Sequence, residues 1–162
     1  MSANKNKTKN KDKTQLTKIE NRKARHDFFI EDSITCGIVL SGTEVKSIRS
    51  GKAQLKDSFA KIEQGEAWLY NCHISPYQHG NRFNHSPLRK RKLLLNKKEI
   101  LKLTNKIKEK KLALVPLKIF FSHNWAKLEL GLGKGKKVYD KREAITKKEL
   151  QRSIKEVKSK YS

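Results

Sequence analysis

The stretch Ala126-Lys127-Leu128-Glu129-Leu130-Gly131-Leu132 decides the fold. Apolar residues alternate with Lys, Glu and Gly at a strict period of two. That pattern sets one face of a β-strand on a core and the other in water. Just upstream, Leu112 to Phe121 forms a long apolar run broken by Pro116, and Ser122-His123-Asn124 supplies a tight connection. Proline donates no ladder hydrogen bond, so this run is expected at a sheet edge or at a bulge.

Working outward, the strand signals repeat. Phe28-Phe29-Ile30 precedes an acidic turn, Glu31-Asp32-Ser33, and β-branched residues crowd Ile34 to Leu40. A hairpin is expected where Ser58 to Glu63 and Ala67 to Tyr70 flank Gln64-Gly65-Glu66. Residues 76–88 read as a loop, and Lys92 to Leu95 as a short strand. Two helices interrupt the pattern. One starts near Thr43 with Val45 and Ile48 on one face and ends at Gly51. The other starts at Asn96, with Glu99 three residues later and Ile100, Leu103 and Ile107 on one face. The expected class is mainly β: a small antiparallel OB-like β-barrel with two or three helices.

The 162 residues carry 39 Lys+Arg against 16 Asp+Glu, a formal charge of +23. By segment, residues 1–25 hold +7, residues 26–88 hold −1, residues 89–128 hold +11 and residues 129–162 hold +6. Such local excess calls for an acidic partner. Residues 1–20 read as a disordered basic arm, 21–132 as the barrel and 133–162 as a flexible basic tail. In that tail, Gly133-Lys134-Gly135 reads as a hinge. Thr146-Lys147-Lys148-Glu149 then matches a helix capping box, followed by Leu150, Ile154, Val157 and Tyr161 on one face. So thin an apolar stripe is expected to order only on a partner.

No apolar run approaches the roughly 20 residues of a membrane span. Residues 1–13 lack the apolar region of a secretory signal, and Cys36 and Cys72 build no disulfide scaffold, so a cytoplasmic protein is expected. The five histidines match no zinc spacing, Gly133-Lys134-Gly135 lacks the Gly-Lys-Ser/Thr ending of a phosphate loop, and no nucleophile elbow is present. No catalytic residue, metal or cofactor is expected, and the protein is not expected to be an enzyme. Arg89-Lys90-Arg91-Lys92 and Lys23-Ala24-Arg25-His26 are the candidate phosphate-binding clusters, because guanidinium forks and ammonium groups meet phosphate oxygens. Trp68, Tyr70 and Trp125 read as packing residues. RNA is the favoured partner. A permanently bound structural ribosomal protein is the alternative from another class, and a membrane-active basic module the weaker one.

Four motifs carry a family likeness: Asn21 to His26 followed by Phe28; Gly42 to Arg49 with Gly51-Lys52; Pro87 through Arg89 to Leu95; and Gly133 to Lys137 through Asp140-Lys141-Arg142. In this order and spacing, over about residues 21–145, the chain resembles the SmpB family, the SsrA (tmRNA)-binding proteins of bacterial trans-translation. The resemblance implies a barrel that binds the tRNA-like domain of tmRNA and delivers it to stalled ribosomes for rescue and peptide tagging. It implies a tail that is disordered when free, becomes helical on the ribosome and occupies the empty mRNA channel near the decoding centre. The expected tmRNA-contacting residues are Lys23, Arg25, His26, Phe28, Lys46, Arg89, Lys90, Arg91, Lys92 and Lys127. The expected ribosome-engaging residues are Lys134, Gly135, Lys136, Lys137, Tyr139, Asp140, Lys141 and Arg142. A monomer is expected, with no membrane and no DNA partner. Three positions depart from the usual pattern: Thr35 stands where the family commonly has Glu, Phe28 where Tyr is common, and Tyr139 where some members have His.

Overall fold

A computed structural model describes residues 17–80 and 84–160. In chain order its elements are β1 (Ile19–Glu20), α1 (Arg22–Asp27), β2 (Phe28–Ile38), α2 (Gly42–Arg49), β3 (Ala53–Gln54), β4 (Phe59–Glu63) and β5 (Glu66–Tyr70). Then follow β6 (His73–Ile74), β7 (Arg91–Leu94), α3 (Lys97–Lys110), β8 (Ala113–Ser122), β9 (Trp125–Gly135) and α4 (Val138–Lys160). The main sheet is antiparallel, ordered β1-β8-β4-β5-β7-β2-β9, and β9 also pairs with β8, which closes the barrel. β3 and β6 form a separate two-stranded pair.

The alternating strand does what its pattern demands. Leu128, Leu130 and Leu132 are fully buried, while Lys127 and Glu129 face outward. β9 is long enough to pair with β2 on one side and β8 on the other. The turn between β8 and β9 places His123 and Asn124 at positive φ, the geometry of a two-residue hairpin loop. Gln64 and Gly65 do the same between β4 and β5.

β8 is no edge strand. It pairs with β1, β4 and β9, and Pro116 is accommodated by a register shift between Pro116 and Lys118. Its unbroken apolar run has a further cause, because both faces are covered. Leu114, Ile119 and Phe121 enter the barrel core, whereas Val115 and Leu117 form a second small core with Ala24, Phe28 and Ile30. Ala24 belongs to α1, a helix absent from the sequence expectation. Asn21 caps it, accepting from the Ala24 N–H at 3.2 Å. The Asn21 amide also donates to the carbonyls of Leu55 (3.1 Å) and Pro116 (2.9 Å).

Other expectations shift in detail. Glu31-Asp32-Ser33 is not a turn between strands but a bulge inside the single strand β2. Its acids are engaged by α3 through Lys106–Asp32 (2.6 Å) and Lys110–Glu31 (3.5 Å). α2 is capped by Ser41 rather than Thr43. The fold begins before residue 21, because Ile19 is buried opposite Ile119 and the Thr17 hydroxyl donates to the Arg49 carbonyl. The rest of the expected basic arm, residues 1–16, lies outside the described residues.

The expected hinge Gly133-Lys134-Gly135 is strand, paired with Ile30, Phe29 and Phe28. Gly133 is required by close approach. A Cβ there would stand 3.0 Å from Ile30 Cδ1, 3.1 Å from Phe28 Cβ and 3.2 Å from the Phe29 carbonyl oxygen. The tail helix starts at Val138, eight residues before the expected box at Thr146. Asp140 sets that start, since its carboxylate accepts from the Lys137 N–H at 3.1 Å, the reach-back of a third helical residue. None of the described α4 residues is buried, and Ile145, Leu150, Ile154 and Val157 are exposed. Tyr161, the last residue of the expected stripe, lies outside the described residues.

Two outcomes test this packing. Gly133→Ala should destabilise the barrel by about 1–3 kcal/mol through overpacking, read as a shift in the urea midpoint with unchanged slope. A peptide spanning residues 133–162, cut from the barrel, should show weak helical ellipticity in dilute buffer, because α4 buries too little to nucleate alone.

Candidate nucleic-acid interface

The run Arg89-Lys90-Arg91-Lys92 does not act as one patch. Arg91 is the first residue of β7 and its side chain is fully buried. Nε and Nη2 donate to Glu44 Oε1 at 2.9 and 2.7 Å. Nη1 donates to the carbonyls of Cys72 (2.7 Å) and Arg89 (3.0 Å), and Nη2 also reaches the Pro87 carbonyl (3.1 Å). These bonds use the whole donor fork. Arg89, half-buried, joins the same carboxylate through Nε (3.0 Å) and Nη2 (2.6 Å). Arg91 is therefore corrected from an RNA contact to an interior residue, because strand alternation turns it inward while Lys90 and Lys92 turn outward.

Glu44 is the other half of this knot. Its Oε2 also accepts from the Ser41 N–H at 2.9 Å, which closes the capping box of α2. Burial by itself would raise the Glu44 carboxyl. The hydrogen bonds from Arg89, the Ser41 backbone and Arg91 outweigh it and hold the group below the ordinary 4.5. One carboxylate thus fixes α2, and with it the exposed Lys46, against the start of β7.

What remains outside is a basic and aromatic face. Lys90 Nζ lies 4.7 Å from the Trp68 ring centroid, and Lys92, opposite Trp68 in register, pairs with Glu66 at 2.5 Å. Beside them the exposed Leu94 stands opposite Gly37, which stands opposite Lys127 on the next strand. A Cβ on Gly37 would contact Leu94 at 3.2–3.3 Å. Thr35 is exposed on this face, with Glu129 opposite it. A carboxylate therefore stands beside the position where the family commonly carries Glu, and Lys118 pairs with it at 2.6 Å.

The second basic surface lies at the other end of β2. Phe28 and Gly37 are nine residues apart along that strand, about 30 Å at 3.3 Å per residue. Here α1 exposes Lys23, Arg25 and His26. Phe28 is partly buried, packing on Ala24, Val115 and Leu117. The more exposed ring is Phe29, with Lys136 Nζ 4.7 Å from its centroid. Lys134 pairs with Phe29 in register, and Lys136 donates its backbone N–H to the Asp27 carbonyl at 2.8 Å. The fold thus unites Lys23, Arg25 and His26 with Lys134, Gly135, Lys136 and Lys141, and separates them from Lys46, Lys90, Lys92 and Lys127. Lys137, just before α4, and Tyr139 and Arg142 on its first turns are exposed.

Phe29 and Asp27 are absent from the expected site residues, and Trp68, expected as a packing residue, carries Lys90 over its ring. Phe29 was legible, since strand alternation gives adjacent aromatics opposite faces. No group of three or more His, Cys, Asp or Glu side chains fit to hold a metal occurs among the described residues. Burial pushes the thiols of Cys36 and Cys72 up to about 12 and about 11, so neither is a thiolate at neutral pH. No described helix is long and apolar enough to cross a membrane.

The chain is similar to known proteins over most of its length. Residues 18–160 match the family described as SmpB protein. An SsrA-binding protein of Carboxydothermus hydrogenoformans is 62% identical over 135 residues, covering 83% of this chain and 91% of that protein. One from Desulforudis audaxviator is 59% identical over 140 residues, covering 86% and 92%. The SsrA-binding protein of Bacillus subtilis is 59% identical over 135 residues, covering 83% and 86%. Among solved structures, a chain described under "tmRNA-SmpB: a journey to the center of the bacterial ribosome" superposes with a TM-score of 0.66 at 49% identity. It covers 80% of this chain and 94% of that one.

The buried knot yields a stability test. Glu44→Gln leaves two guanidinium groups without their counter-charge and should cost about 3–5 kcal/mol at pH 7, read by urea unfolding. The sign with pH follows from the lowered folded-state value. Glu44 stabilises fully above its unfolded value of 4.5, and that contribution is lost as pH falls through the lower folded one. Below pH 4.5 the gap between wild type and Glu44→Gln should therefore narrow.

Proposed function

The chain belongs to the SmpB family, and from that premise we propose that it is an RNA-binding adaptor that binds the tRNA-like domain of tmRNA. It delivers that RNA to stalled ribosomes for trans-translation. It performs no turnover of its own. The observation that carries this reading is the match over residues 18–160 together with the likeness, at 49% identity, to the chain of a tmRNA-SmpB assembly. The alternative of a permanent ribosomal protein has no support, since the relatives named above are SsrA-binding proteins.

The site assignments follow from the two basic surfaces. Lys46, Arg89, Lys90, Lys92 and Lys127 meet tmRNA phosphates at one end of β2, with Trp68 and Leu94 supplying apolar contact. Lys23, Arg25 and His26, with Phe29 beside them, meet RNA at the other end. Phosphate contacts supply affinity and salt dependence. A folded RNA is selected by shape and by its 2′-hydroxyls, because side chains cannot read the deep groove of an A-form helix. The functional units are a basic N-terminal arm, the barrel, and a tail that enters the empty mRNA channel. Its Lys136, Lys137, Tyr139, Lys141 and Arg142 face ribosomal RNA there. The place of action is the cytoplasm, where ribosomes translate.

Two outcomes check this. Filter binding should give tmRNA an affinity at least tenfold above an unrelated structured RNA of equal length at the same salt, and equal affinities would overturn the reading. Replacing Asp140, Lys141 and Arg142 together with Ala should keep tmRNA affinity within about threefold while abolishing peptide tagging on stalled ribosomes. A collapse of tmRNA affinity would move the tail residues into the tmRNA site.

A further inference from the structure

We infer that Asp27 is a positioning residue that fixes the first turn of the tail helix against α1, and so sets the direction in which the tail leaves the barrel. This rests on the functional reading above only in what the tail is for. The geometry stands by itself.

Asp27 is the last residue of α1, and tail and barrel meet on it twice. Its backbone carbonyl accepts the Lys136 N–H at 2.8 Å. Its Oδ1 takes Lys141 Nζ at 3.3 Å, and His26 Nδ1 lies 3.0 Å from the same oxygen. Around this pair, Lys136 Nζ reaches the Arg25 carbonyl at 3.3 Å and sits over the Phe29 ring. The Asp27 side chain is 23% exposed and that of Lys141 34%, so the pair is partly shielded from water. Beyond this first turn α4 buries nothing.

Two physical consequences follow. A helix is limited by its nucleus, because the first turn fixes several residues for one hydrogen bond. Lys136 and Lys141 held on Asp27 support that nucleus from outside the helix, and the Asp140 cap on the Lys137 N–H adds to it from within. The second is leverage. The 23 residues of α4 extend about 35 Å at 1.5 Å per residue, so a swing of about 20° at the first turn carries the far end about 12 Å. Anything that must enter a narrow channel end-first depends on that angle. Lys141 therefore serves the free protein before it meets ribosomal RNA, and Asp27 serves throughout without touching RNA itself.

The test uses the full chain with spin labels at Lys56→Cys and Gln151→Cys, both exposed sites, one on the barrel and one on α4. The native cysteines are buried and stay unlabelled. Electron–electron distance measurements should give one dominant distance in wild type. Asp27→Asn should broaden it, with the docked fraction falling about twofold to fivefold, the scale of a partly exposed ion pair. Asp27→Glu should restore most of the docked fraction, and the swap Asp27→Lys with Lys141→Glu should restore what either single change loses. Tagging on stalled ribosomes should fall with the docked fraction in Asp27→Asn, with the thermal midpoint unchanged and tmRNA affinity held within about twofold. An unchanged distribution in Asp27→Asn, or a swap that restores nothing, overturns the inference. Should Asp27→Asn lower the thermal midpoint, Lys141→Ala gives the same reading from the other partner. Wild-type protein that shows the docked distance yet fails to prefer tmRNA would overturn the proposed function and leave the role of Asp27 standing.

Discussion

The basic and aromatic face around the start of β7 depends on one buried carboxylate. Glu44 accepts from two arginines and from the backbone that caps its own helix. Arg91 in turn holds the carbonyls of Cys72 and Pro87, so α2, the turn after β5 and the approach to β7 are drawn to one point. Such a cluster is costly to desolvate and is not the cheapest way to stabilise a core. Its distinctive effect is geometric. By turning Arg91 inward it sets the alternation of β7, which turns Lys90, Lys92 and Leu94 outward beside Trp68 and Lys127.

Much of this fold was legible. The period-two run at Ala126 to Leu132, the hairpin at Gln64-Gly65 and the proline bulge in β8 are local signals, and local signals survive into the structure. The losses have a common cause. Glu44 and Arg91 stand 47 positions apart, so a basic run reads as surface until its partner is known. Val115 and Leu117 look like strand core, yet they pack under α1, a six-residue helix too short to show periodicity. Gly133-Lys134-Gly135 reads as a hinge because glycine and lysine are loop residues. It is strand because it pairs with Phe28, Phe29 and Ile30 of β2, and Gly133 admits their close approach. Tertiary contact, not composition, decides each case.

The charge takes a different meaning in consequence. The +11 of residues 89–128 is not a single grip. Arg91 is interior, Arg89 is half so, and Lys106 and Lys110 of α3 are spent on Asp32 and Glu31 of the β2 bulge. Basic residues from near the two ends of the chain meet instead: Arg25, Lys136 and Lys141 gather where α1 and the end of β9 share Asp27 and Phe29. An adaptor that grips a folded RNA at two separated points needs those contacts at opposite ends of a stiff body. β2, paired with β9 along nearly its whole length, is such a body.

The central claim is therefore spatial: RNA meets the two ends of β2 and not the lysine-rich helix α3. Hydroxyl-radical footprinting of the chain saturated with tmRNA, read by mass spectrometry, tests it directly. Phe29 and Leu94, exposed at opposite ends of β2, should be protected, while Leu101, exposed on α3, stays as reactive as in the free protein. Protection of Leu101 with Phe29 and Leu94 left reactive would contradict the account.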